Sequence, residues 1–208
     1  MKKLLILTMI CITSFVYGYT SIIFDVGDVL LKGPDAQLTV PYQQLALPKS
    51  DAWKMWLEGK INLVQLRSQL QSICDLLQVD ELLQLYLDPA RPFIDECFEA
   101  ARQLKKLGYR LYILSNFSHD SYHTFIEPHP ELFGIFDGML FSCDAGCSKP
   151  DETIFRSLLA RYNLEASECL FIDDVQANIV AAQKIGIDGI VYKSGTLKRC
   201  LAEHSIFI

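Results

Sequence analysis

The sequence predicts an α/β fold, in which a doubly wound parallel sheet forms a Rossmann-like core and a small helical cap is inserted into it. Two observations lead to this prediction. Short apolar runs rich in β-branched and aromatic residues alternate with amphipathic segments along most of the chain. Residues 34–91 break this rhythm, because they contain helical patterns and no convincing strand. Alternating strands and helices form βαβ units, whose parallel sheets are covered by helices on both faces.

Five apolar runs, each followed by turn residues, predict the strands. They are SIIF (21–24), RLYIL (110–114), GMLF (138–141), ECLFI (168–172) and DGIVY (188–192). The segments between them that have helical spacing are residues 92–108, 151–163 and 175–186. Gly108 and Gly186 stand where helix C-terminal glycines are expected, and Asp151 is an N-terminal capping signal.

The interval between the first two strands predicts the cap. Its helical segments are residues 51–59, 61–78 and 80–87. Proline restricts its own backbone and that of the preceding residue, so Gly33-Pro34 and Pro89 to Pro92 are the expected hinges. The predicted organisation is therefore a core of residues 19–33 and 92–208 with a cap of residues 34–91.

The first 18 residues have the pattern of a secretory signal peptide. Lys2 and Lys3 precede an apolar run from Leu4 to Val16 that is too short to span a bilayer, and Gly18 marks a plausible cleavage site. An amino-terminal extension or a misassigned start codon are the alternatives. Cleavage would place the protein in the periplasm or outside the cell, with no membrane span, and an intact segment would leave it in the cytoplasm.

The charge of the chain argues against a nucleic-acid partner. The formal net charge is −6, the pI is about 5.2, and no cluster of Lys and Arg is longer than two residues. Nucleic-acid-binding domains usually carry a basic stripe that neutralises phosphates. An anionic substrate would therefore need a local device, such as a metal ion or one well-placed lysine.

Cysteine and histidine spacing does not predict a zinc site. Removal of Cys11 with the signal segment would leave six of the seven cysteines, an even number that permits disulfides after export. Cys143 and Cys147 lack a second pair at ligand spacing. His119 and His123 share a helical face but lack a third ligand, so both are expected to be surface residues.

Polar residues follow three of the predicted strands. Asp25 follows the first strand, Ser115-Asn116 the second and Asp173-Asp174 the fourth. Each alone is most often a turn or helix cap. The carboxyl ends of parallel strands share one edge of the sheet, where three carboxylates would repel one another without a cation. Oxygen ligands favour a hard divalent ion, so the sequence predicts Mg²⁺.

Lys149 is a further candidate, in the turn GCSKPD (146–151) directly before a predicted helix. An isolated lysine is usually a solvated surface residue. Beside a magnesium site it could neutralise a phosphoryl oxygen.

The motifs FDVGDVL, LSN, KPDETIF and FIDDVQANIVAA, in this order, resemble those of the haloacid dehalogenase-like hydrolase superfamily. The resemblance covers residues 21–193, and the insert is similar to the small helical cap of the phosphatase and dehalogenase branch. Sugar-phosphate phosphatases and the amino-terminal domain of soluble epoxide hydrolase are of this type. The resemblance implies a Mg²⁺-dependent phosphatase acting on a small phosphorylated metabolite.

The resemblance also implies roles for the strand-end residues. Asp25 would be the nucleophile that forms an aspartyl-phosphate intermediate. Ser115 would hold a phosphoryl oxygen, Asn116 would order the substrate-binding loop, and Lys149 would offset charge on both Asp25 and the phosphate.

For the metal, the resemblance implies four ligands. These are the carboxylates of Asp25 and Asp174, the backbone carbonyl of Gly27, and Asp173 directly or through water. Asn178 would brace the loop that carries the last two of these aspartates.

Gly27 is a departure from the pattern. Most phosphatases of this type carry a second aspartate there, which protonates the leaving alcohol and then activates water. Asp28 is one residue further on, and its side chain is expected to point elsewhere. General acid–base catalysis contributes about 10²–10⁴-fold, so a preference for acyl, aryl or anomeric sugar phosphates is expected.

Two alternatives remain open. One is a phosphate- or metal-binding member of the family with weakened turnover. The other is a 2-haloacid dehalogenase, whose halide leaves without a proton but whose reaction would give the Asp173-Asp174 pair no obvious task. The glycine argues against a phosphomutase, which needs the missing acid.

Overall fold

A computed structural model of the chain describes residues 18–34, 50–73 and 75–208. Five strands form one sheet in the order β3-β2-β1-β4-β5, and every neighbouring pair is parallel. The strands are β1 (Ser21–Phe24), β2 (Arg110–Ser115), β3 (Gly138–Phe141), β4 (Cys169–Asp173) and β5 (Asp188–Val191). The predicted parallel α/β fold is confirmed, and each predicted strand is present to within one residue.

The helices cover both faces of this sheet. In chain order they are α1 (Asp51–Leu57), α2 (Leu63–Leu70), α3 (Leu76–Tyr86), α4 (Asp95–Lys106), α5 (His119–Phe125), α6 (Pro130–Phe133), α7 (Ser142–Ala145), α8 (Glu152–Tyr162), α9 (Gln176–Lys184) and α10 (Leu197–Glu203). The side chains of Ile22 and Phe24 pack with α4 and α10, whereas Ile23 packs with α8 and α9. Successive residues of a strand face opposite sides, so β1 is buried at every position.

The helices α4, α8 and α9 lie within the predicted segments, and their ends follow the predicted signals. The Asp151 side chain accepts a hydrogen bond from the Thr153 N–H, at 2.8 Å, at the start of α8. Gly108 and Gly186 follow the last turns of α4 and α9 with φ of +95° and +93°. Those left-handed conformations favour glycine, which has no Cβ to clash.

The helices of the insert differ from the prediction. Residues 61–78 do not form one helix, because α2 ends at Leu70 and α3 begins at Leu76. The break follows capping chemistry, since the Asp75 carboxylate accepts a hydrogen bond from the Gln78 N–H at 3.0 Å. A continuous leucine-rich pattern masked this start signal. The helices α1 to α3 share a small core of their own, which includes Trp53, Trp56, Leu66, Leu70, Val79 and Leu82.

Several sequence predictions concern residues outside the described ranges. The signal segment of residues 1–18 is outside them except for Gly18, and so are Cys11 and Cys74, so these predictions stay untested. The described cysteines, Cys97, Cys143, Cys147, Cys169 and Cys200, are free thiols. Within the described residues, no helix has the length and apolar character needed to cross a membrane.

Candidate active site

The carboxyl edge of the sheet brings the predicted strand-end residues together. Phe24 is in register with Ile113 of β2 and Ile172 of β4, and the Asp25 N–H donates to the Ile172 carbonyl at 2.9 Å. Asp25 therefore lies between the ends of the two neighbouring strands. Asp25, Ser115 and Asp173 are all buried, which polar side chains tolerate only with partners.

Lys149 is the central cation of this edge. Its Nζ lies 2.8 Å from Asp25 Oδ1 and 2.6 Å from Asp173 Oδ2, and it donates to the Leu114 carbonyl at 3.0 Å. Its side chain is 1% exposed. Burial alone would lower the pKa of Lys149, but the charges of Asp25 and Asp173 outweigh it and raise this pKa. The side chain therefore stays an ammonium ion that bridges two carboxylates.

Asn116 fixes the backbone of Lys149. The Asn116 Nδ2 donates to the Lys149 carbonyl at 2.9 Å, and the Lys149 N–H donates to Asn116 Oδ1 at 2.8 Å. This reciprocal pair links the end of β2 to the turn before α8. Asn116 thus orients the lysine from 33 residues away in the chain.

Asp173 is held by the start of α9. Its carboxylate accepts from the Val175 N–H at 2.8 Å, from Asn178 Nδ2 at 3.0 Å and from Lys149. These bonds occupy much of its acceptor capacity. Asp174, the next residue, is half-buried and has no hydrogen-bonding or ion-pairing partner among the described residues, so its carboxylate is the freer of the two.

Two carboxyl groups of the edge hold their protons more strongly than usual. Burial raises the pKa of Asp25 to about 6; Lys149 opposes this rise and Asp173 adds to it. Burial also raises the pKa of Asp174 to about 7, and the charges of Asp25, Asp173 and Asp28 contribute. Both shifts reflect a surplus of negative charge in a buried place, which a cation would relieve.

The edge fits a hard divalent cation. Asp25, Asp173 and Asp174 each offer a carboxylate oxygen, and these atoms lie within 4.8 Å of one another. Asp25 Oδ1 is buried, and its contact among the described residues is the ion pair with the Lys149 ammonium at 2.8 Å. The Gly27 carbonyl also accepts no hydrogen bond from them. Oxygen donors of this kind suit Mg²⁺.

Gly27 and Asp28 have different roles in the turn after Asp25. A Cβ added at Gly27 would meet no atom within 4 Å, so space does not require glycine there. Asp28 has φ of +53°, and its Oδ1 accepts from the Gly33 N–H at 2.7 Å. The Asp28 carboxylate thereby caps the turn that returns the chain toward residue 33. One of its two carboxylate oxygens is therefore occupied by this local bond.

Comparison with known proteins identifies the family. Residues 19–186 match the family model for haloacid dehalogenase-like hydrolases. The chain belongs to the haloacid dehalogenase-like hydrolase family. A sesquiterpene phosphatase of Aspergillus oryzae is 28% identical to it over 88% of this chain and 94% of the relative. A flavin mononucleotide hydrolase of Arabidopsis thaliana is 23% identical over 83% of this chain and 72% of the relative.

Solved structures share the fold. A HAD-family enzyme of Bacteroides thetaiotaomicron, in complex with magnesium and inorganic phosphate, superposes with a TM-score of 0.64 at 18% identity, covering 86% of this chain and 96% of that one. A predicted HAD-like hydrolase of Porphyromonas gingivalis has a TM-score of 0.68 at 24% identity, covering 88% and 98%.

In this hydrolase the insert lies against the core beside Lys149. Trp56 Nε1 donates to Asp120 at 2.7 Å, and Ser148 Oγ donates to the buried carboxylate of Glu58 at 2.7 Å. A cleft of about 530 Å³ opens between the two parts. It is lined by Ser50, Trp53, Lys54 and Leu57 from the insert and by Asn116, Ser148, Lys149, Pro150 and Asp151 from the core. The contact of Glu58 with Ser148 is not predictable from the sequence, because nothing local marks two residues that are 90 positions apart.

The connections to the insert are joined by Arg91. Its Nη1 donates to the Tyr86 carbonyl at 2.7 Å and its Nε to the Lys32 carbonyl at 2.9 Å. The guanidinium also lies over the rings of Tyr86 and Phe125. Arg91 therefore links both chain segments that enter and leave the insert, at the positions where the sequence predicts hinges.

Binding of Mg²⁺ is expected to stabilise the protein more at about pH 8 than at about pH 5.5. The folded-state pKa values of Asp25 and Asp174 lie above their ordinary value of 3.8, at about 6 and about 7. Without a metal, their contribution to stability is therefore greatest at low pH and is lost as pH rises through these values. Mg²⁺ binds the ionised carboxylates and offsets that loss.

Thermal unfolding with Mg²⁺ and with a chelator, at both pH values, measures this effect. Asp174→Asn is the matched variant, because it keeps the size of the side chain and removes one charge. An equal Mg²⁺-induced shift at both pH values, or a larger one in acid, would contradict the assignment.

Proposed function

We propose that this hydrolase is a Mg²⁺-dependent phosphatase of a small phosphorylated metabolite, acting through an aspartyl-phosphate at Asp25. The observation that carries the proposal is the ion pair of Asp25 with Lys149 at 2.8 Å, inside a group of three carboxylates. A carboxylate attacks a phosphate dianion only where cations offset their repulsion. The phosphatase relative and the magnesium and phosphate complex of the Bacteroides enzyme support it.

Asp25, Gly27, Asp173 and Asp174 would hold Mg²⁺, with Asp173 acting directly or through water. The ion would supply positive charge against the phosphoryl oxygens. Lys149, fixed by Asn116, would add a second cation, and Ser115 would donate a hydrogen bond to a phosphoryl oxygen. Burial raises the pKa of Asp25, and the Ser115 hydroxyl opposes part of this rise by favouring the ionised carboxylate.

The reaction takes place in two displacements. A carboxylate oxygen of Asp25 attacks phosphorus, the bond to the leaving oxygen breaks, and that oxygen departs with its electron pair. Water then attacks the phosphorus of the aspartyl-phosphate, which frees Asp25 and gives inorganic phosphate. At Gly27 no side chain can protonate the leaving oxygen or take the proton of water, so leaving groups that are stable as anions should react fastest.

The insert would act as the cap of this site. The cleft between α1 and the turn before α8 is lined by Lys149 and Asn116 but not by Asp25, so it would hold a part of the substrate remote from the phosphoryl group. Trp53 and Leu57 give it an apolar wall, and Lys54 gives it a positive charge. This lining is compatible with a metabolite that combines apolar and anionic parts.

Hydrolysis of a matched series of phosphate esters tests the proposal. With Mg²⁺ present, p-nitrophenyl phosphate and an acyl phosphate should be hydrolysed at least about tenfold faster than glycerol phosphate. A chelator or Asp25→Asn should remove the activity. Equal turnover of aryl and alkyl esters would count against the leaving-group preference. If the wild-type protein binds Mg²⁺ but hydrolyses the esters no faster than Asp25→Asn does, the alternative of a phosphate-binding protein with weakened turnover is favoured.

A dehalogenase reaction is the remaining alternative. It would proceed without Mg²⁺, so release of halide from a 2-haloacid in the presence of a chelator would support it. The half-buried carboxylate of Asp174 has no task in that chemistry.

A further inference from the structure

A second group of metal-ligating side chains lies at the same edge of the sheet, apart from the Asp25 site. His119 is the first residue of α5, and Cys143 and Asp144 belong to α7, which directly follows β3. One ligand atom from each of these three side chains lies within 4.8 Å of the other two. They line a cavity of about 410 Å³ together with Tyr122, His123, Met139 and Phe141.

The donor set distinguishes this group from the Asp25 site. Imidazole, thiolate and carboxylate together favour a borderline ion such as Zn²⁺, whereas an all-oxygen set favours Mg²⁺. Zinc–ligand bonds of about 2.0–2.3 Å place tetrahedral donor atoms about 3.3–3.8 Å apart. The observed atoms lie within 4.8 Å of one another, which is up to about 1.5 Å wider, and a turn of the exposed side chains of His119 and Asp144 would close this gap.

Few other contacts of these three side chains would compete with a metal ion. The side chains of His119 and Asp144 make no hydrogen bond or ion pair with another described residue. The Cys143 side chain is buried; burial and the charge of Asp144 raise the pKa of its thiol to about 12, so a bound ion would have to displace the thiol proton. The group therefore combines a buried sulfur with two polar side chains that are available to bind an ion, which a chance cluster of surface residues would not provide.

His123 adds support from the next turn of α5. It lines the same cavity, four residues after His119, and its Nδ1 lies 2.9 Å from the Glu127 carboxylate. Metal-bound imidazoles usually donate their second ring N–H to a carboxylate in this way. His123 is not one of the three residues whose ligand atoms lie within 4.8 Å of one another, so its side chain would have to turn toward the ion to become a fourth ligand.

We propose that His119, Cys143 and Asp144 form a binding site for a divalent ion of the Zn²⁺ class, distinct from the Mg²⁺ site. The sequence pattern argues against zinc, since Cys143 and Cys147 lack a second pair and His119 and His123 lack a third ligand. The missing ligands come from a distant part of the chain, because the fold brings Cys143, at the end of β3, beside the start of α5.

The site lies where the insert meets the core. A Cβ at Gly59 would stand 2.6 Å from the Cys143 carbonyl and 3.2 Å from His119 Nε2, so the backbone of the insert touches both ligand residues. The Ser142 hydroxyl, one residue before Cys143, also donates to the Leu57 carbonyl of α1. A bound ion would therefore rigidify the core side of this contact.

Titration with Co²⁺, a spectroscopic substitute for Zn²⁺, tests the site on the full chain. A thiolate ligand gives a sulfur-to-cobalt charge-transfer band, which the all-oxygen Asp25 site cannot produce. The wild-type protein should show this band at one equivalent, and Zn²⁺ should displace it. Cys143→Ser should abolish the band, and His119→Gln should weaken Co²⁺ binding at least about tenfold.

Matched controls separate this site from the others. Cys147→Ser removes the neighbouring half-buried thiol, Asp174→Asn weakens the proposed Mg²⁺ site, and both should keep the band. Absence of the band in the wild type, its survival in Cys143→Ser, or its loss in Cys147→Ser would overturn the proposal. Circular dichroism checks folding; if Cys143→Ser is unfolded, the exposed His119→Gln decides, and unchanged Co²⁺ binding in that variant overturns the site.

Discussion

Replacing Lys149 with methionine is expected to lower the kcat/KM of phosphate-ester hydrolysis by about 10²–10³-fold. The Lys149 ammonium lies 2.8 Å from Asp25 and 2.6 Å from Asp173 in a place with almost no solvent. Methionine has nearly the same length but no charge. The attacking carboxylate and the phosphate would then repel each other without this cation, and steady-state kinetics with Mg²⁺ would show the loss.

The same change is expected to destabilise the fold by about 3–5 kcal/mol, because it leaves two buried carboxylates without their partner. The destabilisation should be larger at about pH 8 than at about pH 5.5, since burial raises the pKa of Asp25 to about 6 and its protonation relieves the repulsion in acid. Urea unfolding at both pH values measures it.

Lys54→Met is the matched control. Lys54 lines the same cleft, but its side chain is 65% exposed and its ion pair with Glu58 is 3.8 Å long. It should change stability by less than about 1 kcal/mol. A Lys149→Met variant that stays within threefold of the wild-type rate, roughly 0.65 kcal/mol in barrier, would contradict the role given to Lys149.

Gly27→Asp is expected to raise the turnover of alkyl phosphates at least about tenfold, toward the 10²–10⁴-fold that general acid–base catalysis contributes. The new carboxyl group would occupy the position of the acid in most related phosphatases. The site has room for it, because a Cβ at Gly27 meets no atom within 4 Å and the backbone there is not in the left-handed region. Rates for glycerol phosphate and p-nitrophenyl phosphate, compared with the wild type, measure the effect.

The rate for p-nitrophenyl phosphate should change little, since its leaving group needs no proton. Gly27→Asn provides the control, because the amide has the same shape but no acidic proton. If Asn produces the same gain as Asp, or if both esters accelerate equally, the missing acid is not what limits the reaction.

Sequence reasoning found the sheet edge because its signals are local. The first and fourth strands are buried at every position, so they appear as unbroken apolar runs that end at polar residues. Once the sheet is known to be parallel, Asp25, Ser115 and Asp173 must share an edge. The order of the strands in the chain and their alternation with helices are therefore enough to predict that these residues lie close together.

The contacts that could not be predicted join distant parts of the chain. The bond of Lys149 to the Leu114 carbonyl and that of Ser148 to Glu58 depend on how loops approach in space. The bond of Asp28 to the Gly33 N–H is local, but it requires a left-handed residue that the sequence does not reveal. Likewise the break between α2 and α3 depends on one cap, Asp75, inside a continuous apolar pattern.

Detection of a phosphoryl group on Asp25 during turnover would show directly that this carboxylate is the nucleophile. Rapid mixing of the Mg²⁺-bound protein with p-nitrophenyl phosphate, followed by acid quench and mass spectrometry of its peptides, would capture the intermediate. We expect a phosphorylated peptide containing Asp25 that appears before steady state and is absent in Asp25→Asn. A burst of p-nitrophenol with no phosphoryl group on that peptide, or activity retained by Asp25→Asn, would contradict it.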